Sequence, residues 1–120
     1  VQKPRIPIWV VGAWPRKKSM QRVVKYDGLL PTVMDRDGKH RQVQPSDIRE
    51  IKTWIETNRV ETSPFDIVVE GKTPSDDAVE AAKILTPWSE AGATWWLEAM
   101  WDAKDPKLVL QRIKLGPAKT

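Results

Sequence analysis

Four short apolar runs alternate with four segments of helical periodicity, and this alternation limits the possible folds more than any other feature. The runs begin at Ile6, Gly28, Phe65 and Ala93. A near-continuous apolar run such as the first one is typical of a parallel strand that is covered on both faces. The order β-α-β-α-β-α-β-α therefore predicts an α/β fold with a parallel sheet. It leaves two architectures open, a small open sheet and one half of a (β/α)8 barrel.

Turn and capping residues set the expected element boundaries within a single domain spanning residues 1–120. We expect strands over residues 6–11, 28–33, 65–71 and 93–101, with a polar loop over residues 34–44. A helix should run from a cap at Ser46 to Asn58, another should begin at a cap at Ser75, and the last should follow Asp105. We expect Pro87 to break the third helix, because proline lacks a backbone donor and clashes with the preceding turn.

The composition excludes several kinds of site. The chain has no cysteine, so it can form neither a disulfide framework nor a thiolate metal site, and its one histidine, His40, makes a zinc site improbable. We therefore predict no metal. No apolar run approaches the roughly 18 residues that a membrane span needs. No signal-peptide pattern opens the sequence, and we expect a cytoplasmic protein without a membrane partner.

Charge is distributed unevenly along the chain. The first 26 residues contain seven Lys or Arg and no acid, whereas residues 61–105 contain ten acids and three bases. Such a division can indicate nucleic-acid binding. The basic residues do not form one run, however, and no nucleic-acid motif accompanies them. A local phosphate site beside a solvated helix face is the simpler interpretation, and we do not expect a nucleic-acid partner.

The turn after the first apolar run has the chemistry of an anion site. Gly12 ends the run, and the basic triplet Arg16-Lys17-Lys18 stands where the first helix begins. A helix start combines free N–H groups with a positive dipole end, and the cations add mobile positive charge. The turn therefore favours phosphate binding, although a simple βα turn with a solvated basic helix start has the same pattern.

Three stretches together resemble one protein family. They are IPIWVVGAWPRKKSMQRVVKYDGLLP, FDIVVEGKTP, and TPWSEAGATWWLEAMW followed by VLQRIKLGP. These stretches are similar to the C-terminal half of the luciferase-like (bacterial luciferase family) flavin-dependent monooxygenases and oxidoreductases. The likeness covers nearly the whole chain, and the Gly-Ala-Thr-Trp-Trp run is among its most specific parts.

The resemblance implies a fold, a cofactor and a site. The fold would be the (βα)4 half of a TIM (β/α)8 barrel, completed by dimerisation or by an N-terminal half outside this sequence. The cofactor would be FMN or a deazaflavin, with a small-molecule substrate, and its phosphate would lie at the turn after the first strand. The implied binding residues are Gly12, Ala13, Trp14, Arg16, Lys17, Lys18 and Ser19. Several relatives carry hydroxyl side chains where Trp14 and Arg16–Lys18 stand, and Ser19 supplies the one hydroxyl of this loop.

Glu70 and Glu98 are the candidate catalytic residues. Both lie at the end of an expected strand, where barrel enzymes place catalytic groups. Either could act as a base if a dry site raised its pKa. The alternative is an ion pair with Arg or Lys at the barrel rim, and we favour it. Trp96 shares a face with Glu98 and could line a pocket, in which case Trp95 packs beneath the helices.

These observations leave two function classes. In the first, the chain is part of a flavin-dependent oxidoreductase or monooxygenase and holds the cofactor phosphate. In the second, it is a non-catalytic half barrel that acts by oligomerisation or by binding a partner. Enzyme activity of the chain on its own stays open, because relatives contribute further flavin and substrate contacts from their first four strands.

Overall fold

The computed structural model describes residues 2–119 as an α/β fold with one sheet. The strands are β1 (Trp9–Trp14), β2 (Gly28–Met34), β3 (His40–Arg41), β4 (Asp66–Gly71) and β5 (Trp95–Glu98). The helices are α1 (Lys17–Val23), α2 (Pro45–Asn58), α3 (Ala78–Ala91) and α4 (Pro106–Leu115). The alternation of strand and helix predicted from the sequence is confirmed.

The main strands follow one another in chain order across the sheet. The spatial order is β1-β2-β4-β5, and every neighbouring pair in that path is parallel. β1 pairs with β2 along its full length, from Trp9 opposite Gly28 to Trp14 opposite Val33. β2 and β4 pair only at Gly28 and Leu29, and their carboxyl ends diverge. The short β3 pairs antiparallel with the end of β2.

One face of the sheet carries the core. Leu29 and Ile67 are opposite each other in register and are almost fully buried. They pack in one cluster with Met20 and Val23 of α1 and Ile48, Ile51 and Ile55 of α2. Residues that alternate with Leu29 and Ile67 along the strands face the other way, because successive side chains of a strand point to opposite faces. We call that second side the open face.

The first strand begins later than predicted. Ile6 and Ile8 are exposed and precede β1, while Gly12 lies inside the strand and does not end it. A β-carbon on Gly12 would lie 2.5 Å from Val23 Cγ2 and 2.7 Å from Leu29 Cδ1. Glycine at this position therefore allows α1 to pack closely against β1.

Other boundary predictions were also wrong. Residues 34–44 include the β3 hairpin, which turns through Gly38 at a positive φ of 77°. α3 begins after Asp77, whose side chain accepts a hydrogen bond from the Glu80 N–H, and continues through Pro87. Because Pro87 is exposed, the helix loses one backbone hydrogen bond there without burying an unpaired group. β5 ends at Glu98, three residues before the predicted end of the strand.

The remaining helix boundaries follow the predicted chemistry closely. α2 ends at Asn58 as expected. The predicted cap at Ser46 was wrong, because Gln44 is the N-cap and Pro45 is the first helical residue, where proline is favoured. Asp105 caps α4 by accepting a hydrogen bond from the Lys107 N–H at 2.9 Å. Asp27 braces the chain between α1 and β2, since its carboxylate accepts a hydrogen bond from the Ile8 N–H at 2.8 Å.

Candidate functional site

The β1–α1 turn is a compact loop at the carboxyl end of β1. The Arg16 N–H donates to the Ala13 carbonyl at 2.9 Å, and the Ala13 N–H donates to Ser19 Oγ at 2.9 Å. The Met20 N–H then donates to the Arg16 carbonyl, which starts the helix. Ser19 thus braces the turn as an acceptor, and its hydroxyl hydrogen can still be donated to a ligand.

The start of α1 lacks the usual compensation for its positive dipole end. Arg16 is the N-cap residue, its side chain makes no capping hydrogen bond, and the first turn contains no acid. Arg16, Lys17 and Lys18 are all exposed. The first amides of a helix have no intrahelical partner, and a positive helix end is stabilised by an anion. The turn therefore gathers exposed cations and free helical N–H groups without an acid of its own.

Two predicted binding residues also have packing roles. Gly12 is buried beneath α1. Glycine is required there because a β-carbon would overlap Val23 and Leu29. The indole of Trp14 packs edge-to-face against Trp54 of α2, with 6.2 Å between ring centroids. Trp14 therefore belongs to the helix-covered side of the sheet.

Arg16 lies near a second element. Its Nη2 is 3.2 Å from the position that a β-carbon on Gly38 would occupy, so the guanidinium lies against the turn of the β2–β3 hairpin. In the same hairpin turn, the Asp35 side chain accepts hydrogen bonds from the backbone N–H groups of Asp37 and Lys39. The hairpin turn is thus an ordered neighbour of the basic turn.

Glu98 is the centre of a polar network between β5, β4 and α4. Its carboxylate accepts hydrogen bonds from the Thr73 N–H at 2.7 Å, from Thr73 Oγ1 at 2.6 Å and from Trp96 Nε1 at 3.3 Å. Arg112 Nη2 of α4 lies 3.3 Å from Glu98 Oε2. Burial alone would raise the pKa of Glu98, but the Thr73, Trp96 and Arg112 contacts outweigh it and lower that pKa.

A carboxylate with a lowered pKa and four donors is a poor general base. Its oxygens already accept hydrogen bonds from these donors, and its lowered pKa means that its affinity for a proton is reduced. The structure therefore agrees with the alternative favoured from the sequence, in which Glu98 forms an ion pair, and the partner is Arg112. Sequence reasoning missed both Arg112 and Thr73, because no motif marks a contact between residues 39 positions apart.

Glu70 has a different environment from Glu98. It faces the open side of the sheet, is exposed, and accepts one hydrogen bond, from Trp101 Nε1 at 3.3 Å. It borders two cavities. One, of about 730 Å³, lies between β5, Trp101 and α4, and the other, of about 380 Å³, lies between the diverging ends of β2 and β4 beside His40 and Arg41.

The basic turn and the two glutamates do not form one cluster. The lining of neither cavity includes a residue of the 12–19 turn. The turn follows β1 at one edge of the sheet, while Glu98 ends β5 at the opposite edge. The candidate phosphate site and the candidate catalytic residues are therefore separate features of the same carboxyl end of the sheet.

The two tryptophans of β5 lie on opposite faces of the sheet. Trp96, and not Trp95, lies beneath the helices. Trp96 packs on the helix side against Trp88 of α3, with 6.2 Å between ring centroids, and also borders the larger cavity. Trp95 lies on the open face, 5.4 Å from the ring of Trp9. The prediction that Trp95 packs beneath the helices is wrong, because α3 covers the face that Trp96 occupies.

Residues 2–119 lack two further kinds of feature. No three His, Cys, Asp or Glu side chains in this part of the chain come close enough together to hold a metal ion. None of its helices combines the length and the apolar character that crossing a bilayer requires.

Comparison with protein-family models, with curated proteins and with solved structures gives no match to this chain. The family resemblance therefore rests on the sequence motifs alone.

Proposed function

We propose that this chain is the C-terminal half of a luciferase-like flavin-dependent oxidoreductase or monooxygenase and binds the phosphate of FMN, or of a deazaflavin, at the β1–α1 turn. The observation that carries this proposal is the uncapped start of α1, with three exposed cations and no acid in its first turn. A phosphate there would supply the negative charge that the helix start lacks.

The sheet supports the half-barrel part of the proposal. Its four main strands are parallel and follow chain order, and α1, α2 and α3 cover one face. This is the arrangement expected of four consecutive βα units of a (β/α)8 barrel, with the cofactor at the carboxyl ends of the strands. The other half, from an N-terminal segment or a second subunit, would supply the remaining flavin and substrate contacts.

The residues present fit a phosphate group. The backbone N–H groups of Lys17, Lys18 and Ser19 begin the helix, the Ser19 hydroxyl can donate, and the three cations add charge. The flavin itself supplies the redox chemistry when bound, and the protein's part is to hold and orient it. In this proposal Glu98 holds α4 against the sheet. Glu70 is the carboxylate that remains accessible to a substrate.

A comparison of FMN with riboflavin tests this proposal, because the two share the isoalloxazine ring and differ in the phosphate. Flavin fluorescence titration should show FMN bound at least severalfold more tightly than riboflavin. Replacing Arg16, Lys17 and Lys18 together with Ala should weaken FMN binding severalfold and leave riboflavin binding unchanged.

The matched control neutralises three lysines at the other edge of the sheet: Lys104, Lys107 and Lys114. It changes the net charge by the same amount and should leave FMN affinity within twofold. Equal affinities for FMN and riboflavin, or no uptake of either, would contradict a phosphate site in this turn.

A second function has support from a different observation. Large apolar side chains are exposed on the open face and on α4, including Val11, Trp95, Leu110 and Ile113. Exposed apolar side chains in this number can mark a protein–protein interaction site. A non-catalytic half barrel that acts by association is therefore the alternative, and it predicts association without flavin binding.

A further inference from the structure

The larger cavity at the carboxyl end of the sheet has the size and the walls of a small-molecule site. Its volume is about 730 Å³, and it lies between β5, the segment that follows β5, and α4. Ligand sites usually have volumes of about 300–1,000 Å³ and mainly apolar walls with a few polar groups. The large apolar side chains of this wall are Trp96, Leu97, Met100, Trp101, Val109 and Ile113. The cavity therefore suits a ligand with a sizeable apolar body.

One side of α4 faces this cavity. Val109, Arg112 and Ile113 line it, and their i, i+3 and i+4 spacing places them on the same side of a helix. Ile113 is 68% exposed and Trp101 is 86% exposed, so the fold itself leaves much of their apolar surface in water. A molecule bound in the cavity would cover part of this surface, and removing apolar surface from water favours binding.

Glu70 is a carboxylate of this cavity whose charge has no partner in the described part of the chain. Three cations share a cavity lining or a strand end with Glu70, and each already has a carboxylate partner. The pairs are Arg112–Glu98, Arg41–Asp47 and Lys72–Asp102. No Lys, Arg or His side chain within residues 2–119 forms an ion pair with Glu70. The cavity therefore has an unbalanced negative charge at Glu70.

The hydrogen bonds of Glu70 leave most of its acceptor capacity free. Its Oε1 accepts from Trp101 Nε1 at 3.3 Å, and its Oε2 accepts no hydrogen bond from residues 2–119. A carboxylate has about four acceptor positions, so a ligand with several donors can still bind here. Glu98 is different, because three donor groups and Arg112 already contact its carboxylate. Of the two carboxylates in the lining, Glu70 is the one open to a ligand.

We infer that the larger cavity binds a small molecule that combines an aromatic body with a protonated amine. The body would lie against the apolar wall, and the ammonium group would bind the Glu70 carboxylate. An ammonium group has three N–H donors and no acceptor, which suits an unpaired carboxylate. An anionic ligand is disfavoured, because Glu70 would repel it and Arg112 is already paired with Glu98. In the proposed function this amine is the substrate, and only that assignment rests on the proposed function.

The test uses three indole compounds that share the ring and differ in the charge of the side chain. Tryptamine carries an ammonium group, tryptophol a neutral hydroxyl group and indoleacetate a carboxylate. Isothermal titration calorimetry without flavin should show that the native chain binds tryptamine at least about fivefold more tightly than tryptophol, because hydrogen bonds between charged groups are stronger than neutral ones. Indoleacetate should bind most weakly of the three.

Glu70→Gln removes the charge that the inference depends on and retains the shape of the side chain. It should lower tryptamine affinity to that of tryptophol and change tryptophol affinity by less than twofold. Glu90→Gln is the matched control, because it removes the same charge from an exposed position on α3 that does not line the cavity. This control should retain the preference for tryptamine, and circular dichroism should show native secondary structure for both variants.

A second pair of variants tests the apolar wall. Ile113→Ser removes an apolar side chain from the lining, and it should weaken tryptamine and tryptophol to a similar extent, by at least about threefold. Leu110→Ser makes the same kind of change on α4 at a side chain that is 51% exposed and does not line the cavity. This control should leave both affinities within twofold of the native values.

Four results would overturn the inference. They are no binding of tryptamine at millimolar concentration, equal affinity for tryptamine and tryptophol, tighter binding of indoleacetate, and a preference for tryptamine that persists in Glu70→Gln. Tighter binding of indoleacetate would instead make Arg112 the centre of the site. Each result can be separated from failure of the flavin proposal, because no flavin is present and the 12–19 turn does not line this cavity.

Discussion

Replacing Glu98 with glutamine distinguishes a structural carboxylate from a catalytic one. Glu98 has 23% and Arg112 14% of its side chain exposed, so neither is well solvated. The amide oxygen of the new glutamine side chain could still accept from the Thr73 N–H. Its NH₂ group could donate to Thr73 Oγ1, but Trp96 Nε1–H and the Arg112 guanidinium would lose their acceptor.

The expected loss of stability follows from those two contacts. A hydrogen bond to a charged group contributes about 1.5–3 kcal/mol, and leaving a partly buried charge unpaired costs more than losing a neutral bond. The weaker geometry at 3.3 Å and the residual exposure reduce both effects. We therefore expect Glu98→Gln to lower the free energy of unfolding by about 2–4 kcal/mol.

Urea denaturation followed by tryptophan fluorescence measures this change. With an m-value of about 2 kcal/mol per M, the midpoint should fall by roughly 1–2 M. Glu70→Gln is the matched control, because Glu70 is exposed and accepts a single hydrogen bond from Trp101. It should alter the free energy of unfolding by less than about 0.5 kcal/mol.

The pH dependence provides an independent check with a defined sign. The pKa of Glu98 is lower in the folded state than its ordinary value of about 4.3, so its contribution is complete above that value and is lost as pH falls through the folded pKa. The stability difference between the native chain and Glu98→Gln should therefore shrink below about pH 4. Equal, small effects of the two substitutions at neutral pH would refute the structural role of Glu98.

Three further substitutions test the packing and capping described above, each by chemical denaturation. Gly12→Ala should lower the free energy of unfolding by about 1–3 kcal/mol, because its β-carbon would overlap buried Val23 and Leu29; a neutral result would mean that α1 can shift away. Pro87→Ala should raise stability by about 1–2 kcal/mol, since it restores a donor inside α3, and a loss would indicate that proline has a packing role there. Asp47→Ala should cost about 1–3 kcal/mol, because this buried carboxylate accepts from the Gln44 N–H at the start of α2; an unchanged midpoint would exclude that contribution.

The sequence determined the order of the elements more reliably than their ends. The four βα units were predictable because apolar runs and helical stripes alternate with glycine and proline between them. The end of α2 at Asn58 and the Asp105 cap of α4 followed from local chemistry, which acts within a few residues. Gly12 was misread as a strand terminator, because the contact that explains it is made by Val23, eleven residues away.

The candidate site was predictable only in part, for a similar reason. The basic triplet and the glycine-led turn are local, so the sequence identified them as one feature. Side chains alternate between the two faces of β5, so the sequence pattern shows that Trp96 and Glu98 share a face. It does not show which of the two faces the helices cover, and this decides where Glu98 points. The ion pair with Arg112 required knowledge of how α4 returns to the sheet, which is a tertiary contact.

The position of α4 depends on the Glu98 network. α4 buries none of its residues, so the apolar packing that holds most helices is weak here. Arg112 joins it to Glu98 and Thr73 through side-chain contacts, and this polar network fixes where the helix returns to the sheet. Removing one member of this network leaves another partly buried polar group without its partner, which is the reason that Glu98→Gln is expected to be costly. The Glu98 network therefore sets the place of α4 at the β5 edge of the sheet.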